Sequence, residues 1–123
     1  VGPSTLMPEK IEEMNVEVYN NLEAGLEGVD VVYLLRIQQE RQDKGFFPTI
    51  REYTKFFGVR EKHLKLAKKD ALIMHPGPIN RGIEISSQLA YSQQSVIEEQ
   101  VSNGVAIRMA LLYLLIEGGA KNE

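Results

Sequence analysis

Val29-Asp30-Val31-Val32-Tyr33-Leu34-Leu35 is the stretch on which the fold turns. It is β-branched and nearly all apolar, the composition of a central strand in a parallel sheet covered on both faces. Upstream, Asn20 to Gly28 reads as a helix with a glycine stop. Before it, Val16 to Tyr19 alternates apolar and polar, as a strand does. Pro8 to Met14 reads as a short helix with proline in its first turn. Val1 to Pro3 reads as the cut end of a strand. Downstream, Ile37 to Phe47 is polar, and its Asp43-Lys44-Gly45 suggests a mobile loop. Thr49 to Phe57 and Glu61 to Ala67 read as helices, and Ala71 to Met74 as a second apolar strand. Two helices are then expected, about Ser95 to Val101 and Gly104 to Glu117, the latter apolar almost all round. Strands alternating with helices predict an α/β fold: a doubly wound parallel sheet with helices on both faces.

Composition narrows the function. The 123 residues suit one compact domain or part of one, with 43% apolar and 25% charged residues. A net charge of −3 gives no reason to expect nucleic acid or an anionic membrane as partner. The longest apolar run, Val105 to Ile116, is broken by Arg108 and reads as a buried helix. No secretory leader is indicated at the N-terminus. With no cysteine there are no disulfides and no thiolate metal sites. No metal or cofactor is expected, and a reducing, cytoplasmic setting fits.

In parallel sheets, ligands bind beyond the carboxyl ends of the strands. Two polar motifs lie there. Arg36-Ile37-Gln38 follows the first strand. If the strand carries on briefly, Arg36 and Gln38 face the same side. An arginine fork grips a carboxylate, and a neighbouring glutamine donates to a carboxylate or accepts from an amine. The pair suits an amino acid or dicarboxylate. The plainer reading has Arg36 opening an exposed loop and pairing with Glu40.

The second motif is His75-Pro76-Gly77-Pro78. Its prolines fix φ and lack N–H groups, so its carbonyls have no helix or ladder partner and are available to a ligand N–H. Gly77 allows close approach. His75 would act as a base or anchor the turn, and an ordinary rigid turn is the plainer reading. Arg81 and Glu84 would pair with each other or with the loop after Arg36. His63 and the lysines at 62, 65, 68 and 69 read as a solvated helix face.

Leu34-Leu35-Arg36-Ile37-Gln38-Gln39-Glu40-Arg41, followed by His75-Pro76-Gly77-Pro78-Ile79-Asn80-Arg81-Gly82-Ile83-Glu84, resembles the C-terminal, aspartate-binding domain of aspartate carbamoyltransferases. The resemblance extends over residues 1–123 and rests on two motifs at plausible spacing. It implies transfer of a carbamoyl group from carbamoyl phosphate to L-aspartate, giving N-carbamoyl-L-aspartate and phosphate in pyrimidine biosynthesis. It implies that Arg36 clamps an aspartate carboxylate with Gln38 beside it. The backbone carbonyls of Pro76, Gly77 and Pro78 would face the carbamoyl amide and the incoming amine, with His75 in support. Glu40, Arg41 and the residues to about Phe47 would close over aspartate, and Arg81 and Glu84 would hold the closed arrangement.

Two departures stand out. The family often has leucine where this chain has Gly77. The family's phosphate-binding motif, Ser-Thr-Arg-Thr-Arg, does not occur here. The resemblance therefore implies a piece of a catalytic chain without its phosphate-binding domain, inactive alone. It also implies a homotrimer, with regulatory or dihydroorotase chains as further partners in some members. Two alternatives stay open. An ornithine-type carbamoyltransferase would carry a cysteine in the histidine motif and Ser-Met-Gly where Arg36-Ile37-Gln38 stands. A non-catalytic binding or assembly module would keep the half-fold and use its apolar last helix as an interface.

Overall fold

The computed structural model describes residues 1–37 and 49–120. Two parallel strands form its sheet: β1, Val31–Tyr33, and β2, Leu72–Met74. Val31, Val32 and Tyr33 stand opposite Leu72, Ile73 and Met74. The ladder runs one bond further, from the Leu34 amide to the Met74 carbonyl at 2.8 Å. On the far side of β2, the Ile73 amide donates to the Gln94 carbonyl at 2.8 Å, and the Val96 amide donates to the Ile73 carbonyl at 3.0 Å. Residues 94–96 thus form a third line beside the two strands.

Alternation along β1 decides what is buried. Val32 and Ile73 face each other in the core, while Val31, Tyr33 and Leu72 are exposed. Around that pair gather Leu22, Leu26, Val59, Ile85, Leu89, Ala90 and Ile97. Ile73 and Ile85 are fully buried and form its centre. Filling one such position contributes about 1.5–3 kcal/mol.

Local chemistry sets the helix boundaries. Helix α1, Leu22–Leu26, is capped by the Asn21 side chain, which accepts from the Ala24 amide at 2.9 Å. It buries Leu22 and Leu26, four residues apart on one face. Helix α2, Ile50–Phe57, starts with a capping box. The Glu52 amide donates to Thr49 Oγ1 at 3.3 Å, and the Thr49 amide donates to Glu52 Oε2 at 3.0 Å. The Thr49 hydroxyl also donates to Glu52 Oε2 at 2.8 Å, and this bond first, then that from the Thr49 amide, holds the Glu52 carboxyl below its ordinary range. Helix α3, Glu61–Leu64, is a single turn, and α4, Ser87–Ala90, is another, capped by Ser86 Oγ. Helix α5 runs from Ile97 to Ala120.

Several sequence expectations change here. The Pro8–Met14 helix is a 3-10 turn over Ile11–Met14, after a similar turn at Ser4–Leu6. Val16 to Tyr19 pairs with no strand among the described residues, because its one inter-segment bond is from the Gly2 amide to the Tyr19 carbonyl, at 3.1 Å. The helices expected on either side of Asn103 are one continuous α5. An interior glycine costs a helix only about 1 kcal/mol, too little for Gly104 to break a run of good helix formers. Helix α4 was not expected. Its four residues are too few for a 3.6-residue period to show.

Residues of α5 expected to be buried are exposed: Val105, Ile107, Met109, Leu111, Leu112, Leu114, Leu115 and Ile116. Among the described residues, no helix is long and apolar enough to cross a membrane.

Candidate functional site

Because β1 and β2 are parallel neighbours, the segments that leave their carboxyl ends lie side by side. Leu35, Arg36 and Ile37 follow β1, and His75 to Pro78 follow β2. Arg36, Ile37, Pro76, Gly77 and Pro78 line one cleft of about 570 Å³. Tyr53 of α2 and the N-terminal residues Val1 to Pro3, Leu6 and Met7 complete its wall. The structure therefore brings together Arg36 and the proline-rich backbone. Gln38, Glu40, Arg41 and the loop to Phe47 lie outside the described residues.

The proline segment has an unusual backbone. Gly77 has φ +68°, a left-handed conformation that glycine adopts without penalty, and the Gly77–Pro78 peptide is cis. A Cβ at Gly77 would also meet Val101 Cγ2 at 3.3 Å.

Beneath this segment lies a buried pair. His75 and Glu84 are 0% and 1% exposed, with His75 Nε2 3.3 Å from Glu84 Oε1. The two atoms are in contact, but Nε2 makes no hydrogen bond there. The Gly77 amide donates to His75 Nδ1 at 2.8 Å. Nδ1 must then offer a lone pair, which places the hydrogen of a neutral imidazole on Nε2, facing Glu84. Burial holds His75 below its ordinary titration range. The Glu84 carboxylate pulls the other way and does not win. The His75 amide donates to Gln100 Oε1 at 2.9 Å, and Gln100 Nε2 donates to the Tyr33 hydroxyl at 3.0 Å. Glu84 Oε1 also accepts from the Asn80 amide. Asn80 Nδ2 donates to the Ile37 carbonyl at 3.3 Å, one residue past Arg36.

Two expectations are corrected. Arg81 and Glu84 do not pair. Glu84 is buried against His75, whereas Arg81 is exposed and its guanidinium lies 5.1 Å from the centre of the Tyr91 ring. His63 is not solvated: it is 6% exposed, and its Nδ1 accepts from the Arg60 amide at 3.2 Å. Burial first, then the Lys62 charge, lowers its pKa. The lysines around it are exposed as expected, and Lys68 Nζ meets Asp30 Oδ1 at 2.6 Å.

Sequence reading passed over Asn80, Gln100 and Tyr53. Asn80 and Gln100 each bond a motif residue far along the chain, so no local spacing marks them. Among the described residues, no three His, Asp or Glu side chains gather to hold a metal ion. A cleft lined by an arginine and a proline-rich segment suits an anionic ligand.

Residues 6–115 match the family described as aspartate/ornithine carbamoyltransferase, Asp/Orn binding domain. The chain is 66% identical over 115 residues to the aspartate carbamoyltransferase catalytic subunit of Halothermothrix orenii, covering 94% of this chain and 37% of that one. It is 60% identical over 118 residues to the same subunit of Desulforamulus reducens, covering 96% and 38%. Among solved structures, aspartate transcarbamoylase from Trypanosoma cruzi with carbamoyl phosphate superposes with a TM-score of 0.73 at 26% identity, over 92% of this chain and 38% of that one. Ornithine carbamoyltransferase from Pyrococcus furiosus gives 0.63 at 26% identity, over 77% and 30%. The chain thus spans well under half the length of these relatives. With its parallel strands, its cleft beyond their carboxyl ends and this match over most of its length, the chain belongs to the aspartate/ornithine carbamoyltransferase family, in the region of its Asp/Orn-binding domain.

Proposed function

We propose that this chain, residues 1–123, is the aspartate-binding part of an aspartate carbamoyltransferase. The observation that carries the reading is the shared cleft, whose lining includes both Arg36 and the Pro76-Gly77-Pro78 segment. In it Arg36, with Gln38 beside it, grips a carboxylate of L-aspartate. The carbonyls of Pro76, Gly77 and Pro78 accept from the carbamoyl amide and the attacking amine. The amine nitrogen attacks the carbamoyl carbon, the carbon–oxygen bond to phosphate breaks, and the departing phosphate takes up the proton lost from nitrogen. The chain's contribution is orientation and charge placement in a dry cleft.

Aspartate is favoured over ornithine as substrate. A guanidinium attracts the second carboxylate of aspartate and repels ornithine's ammonium. The names and identities of the curated relatives point the same way. The phosphate-binding half would be supplied by the remainder of a longer chain or a companion chain, in a cytoplasmic homotrimer, with regulatory or dihydroorotase chains as further partners in some members. The exposed apolar side chains of α5 favour a second reading, an assembly module that kept the half-fold without the reaction.

The test is a carbamoyl-transfer assay on the complete catalytic chain containing this segment, with L-aspartate and L-ornithine in parallel. Transfer to aspartate alone is expected, with no turnover by the 123-residue segment alone. Equal or greater transfer to ornithine would overturn the assignment, and no transfer to either would favour the assembly module.

A further inference from the structure

We propose that His75, Glu84 and Asn80 are positioning residues that set the carbonyls of Pro76, Gly77 and Pro78 against Arg36. The inference rests on the carbamoyltransferase reading and adds to it the device that holds Arg36 and the proline segment in register. His75 Nδ1 holds the Gly77 amide at 2.8 Å, while its Nε2 faces Glu84 Oε1 at 3.3 Å. The same Glu84 oxygen takes the Asn80 amide, and Asn80 Nδ2 reaches the Ile37 carbonyl at 3.3 Å. One connected chain of polar contacts therefore runs from the middle of the proline segment to the residue after Arg36.

The burial of this group calls for an explanation beyond stability. Withdrawing an imidazole and a carboxylate from water is costly, and well-packed apolar side chains of similar size often stabilise as much or more. What the polar pair provides is direction. At Gly77 the backbone sits in a left-handed conformation open to many alternatives, and the amide held by His75 fixes one of them. Fixing that amide fixes the peptide plane it shares with the Pro76 carbonyl, and so the aim of that carbonyl and the direction in which the chain enters Gly77. Glu84 is itself anchored: its carbonyl accepts from the Val59 amide at 2.9 Å, and it precedes the buried Ile85. The polar chain is thus referred to the core rather than to the surface.

The two ring nitrogens make the claim testable. An asparagine side-chain oxygen can stand in for Nδ1, and a glutamine side-chain nitrogen for Nε2. In the complete catalytic chain, His75→Ala is expected to lower kcat for carbamoyl transfer to L-aspartate roughly 100-fold, the scale of a small misplacement of reacting groups. His75→Asn restores most of that loss, and His75→Gln restores little. Asn80→Ala keeps its backbone bond to Glu84 and loses only the bond to Ile37. It is expected to raise the aspartate KM roughly 10-fold, about the value of one hydrogen bond, with a smaller change in kcat. Hydrogen exchange at the Gly77 amide supplies a readout that needs no activity: slow in the unsubstituted chain and in His75→Asn, fast in His75→Gln and His75→Ala. If Asn and Gln rescue equally, or if Gly77 exchange is the same in all four, the positioning role is overturned. If the unsubstituted chain transfers no carbamoyl group yet the exchange pattern holds, the carbamoyltransferase reading fails while the structural device stands.

Discussion

Gly58 and Ile83 meet through the backbone: a Cβ on Gly58 would stand 2.5 Å from the Ile83 carbonyl oxygen and 2.6 Å from that of Thr54. This close approach lets the chain after α2 lie against the segment that carries Glu84. Val59 donates to the Glu84 carbonyl at 2.9 Å, and the Ser86 amide donates to the Val59 carbonyl at 3.1 Å. Gly58 therefore helps set the height of the buried carboxylate under the cleft. Gly58→Ala should destabilise the complete chain by about 1–3 kcal/mol, the usual scale for overpacking against groups that cannot yield. Urea midpoints of the two proteins check it, and an unchanged midpoint would show that the backbone moves aside freely.

Arg36 is the cation at the carboxyl end of β1 that lines the cleft. Arg36→Gln should remove the charge-assisted grip on a substrate carboxylate, worth about 1.5–3 kcal/mol, or roughly 10- to 150-fold in kcat/KM for aspartate. The KM for carbamoyl phosphate should move much less. Steady-state kinetics with each substrate varied in turn gives the answer. An equal loss for both would mean that Arg36 shapes the cleft as a whole.

Gly77 carries the other conformational demand. Its φ of +68° and the 3.3 Å approach of Val101 Cγ2 both weigh against a side chain. Gly77→Ala should lower stability by about 1–2 kcal/mol, the cost of a left-handed alanine. Thermal unfolding of the complete chain measures it. A gain in stability, as expected when a glycine sits at an ordinary φ, would contradict the backbone conformation found here.

Acid should weaken the fold through its two buried histidines. Both His63 and His75 lie below their ordinary pKa of 6.5 in the folded chain, chiefly because burial disfavours the charged ring. The unfolded chain then binds more protons than the folded one between the lowered values and 6.5, so stability rises with pH across that interval. It is present in full above about 6.5 and falls away below, as protons are taken up by the unfolded state first. Urea midpoints between pH 7.5 and 5.5 should drop on acidification. The slope should shrink in His63→Asn and shrink again when His75→Asn is added. A slope unaltered by both substitutions would place the acid sensitivity elsewhere.

The outer surface of α5 should govern behaviour of the isolated segment. Leu115 and Ile116 are 73% and 72% exposed, with Leu111, Leu112 and Leu114 beside them. A continuous apolar surface of this kind drives association. Sedimentation velocity of the 123-residue chain should show concentration-dependent self-association that Leu112→Glu with Leu115→Glu reduces. A monodisperse monomer at all concentrations would show that the helix is tolerated in water as it stands.

The sequence by itself determined the features that depend on neighbours along the chain. Val29 to Leu35 and Ala71 to Met74 announced strands by composition, and their cores appear as Val31–Tyr33 and Leu72–Met74. The helix starts after Asn21 and at Thr49 obey an equally local rule, because a cap bonds an amide three residues away. The proline motif announced a break in regular structure for the same local reason. Tertiary structure alone decided who meets whom. His63 sits in a run of lysines yet is buried, because α1 and α3 pack together. Arg81 faces Tyr91 and not Glu84, because Glu84 turns inward to His75, nine positions back. Val16 to Tyr19 has a strand's pattern and no ladder among the described residues, since a ladder needs a partner that sequence periodicity cannot supply. Arg36 and the Pro76 to Pro78 segment line one cleft only because two strands far apart in the sequence lie parallel and adjacent. Short-range rules fix backbone shape, but the free energy of a buried polar contact depends on groups the chain brings together from a distance, and those become visible only once it has folded.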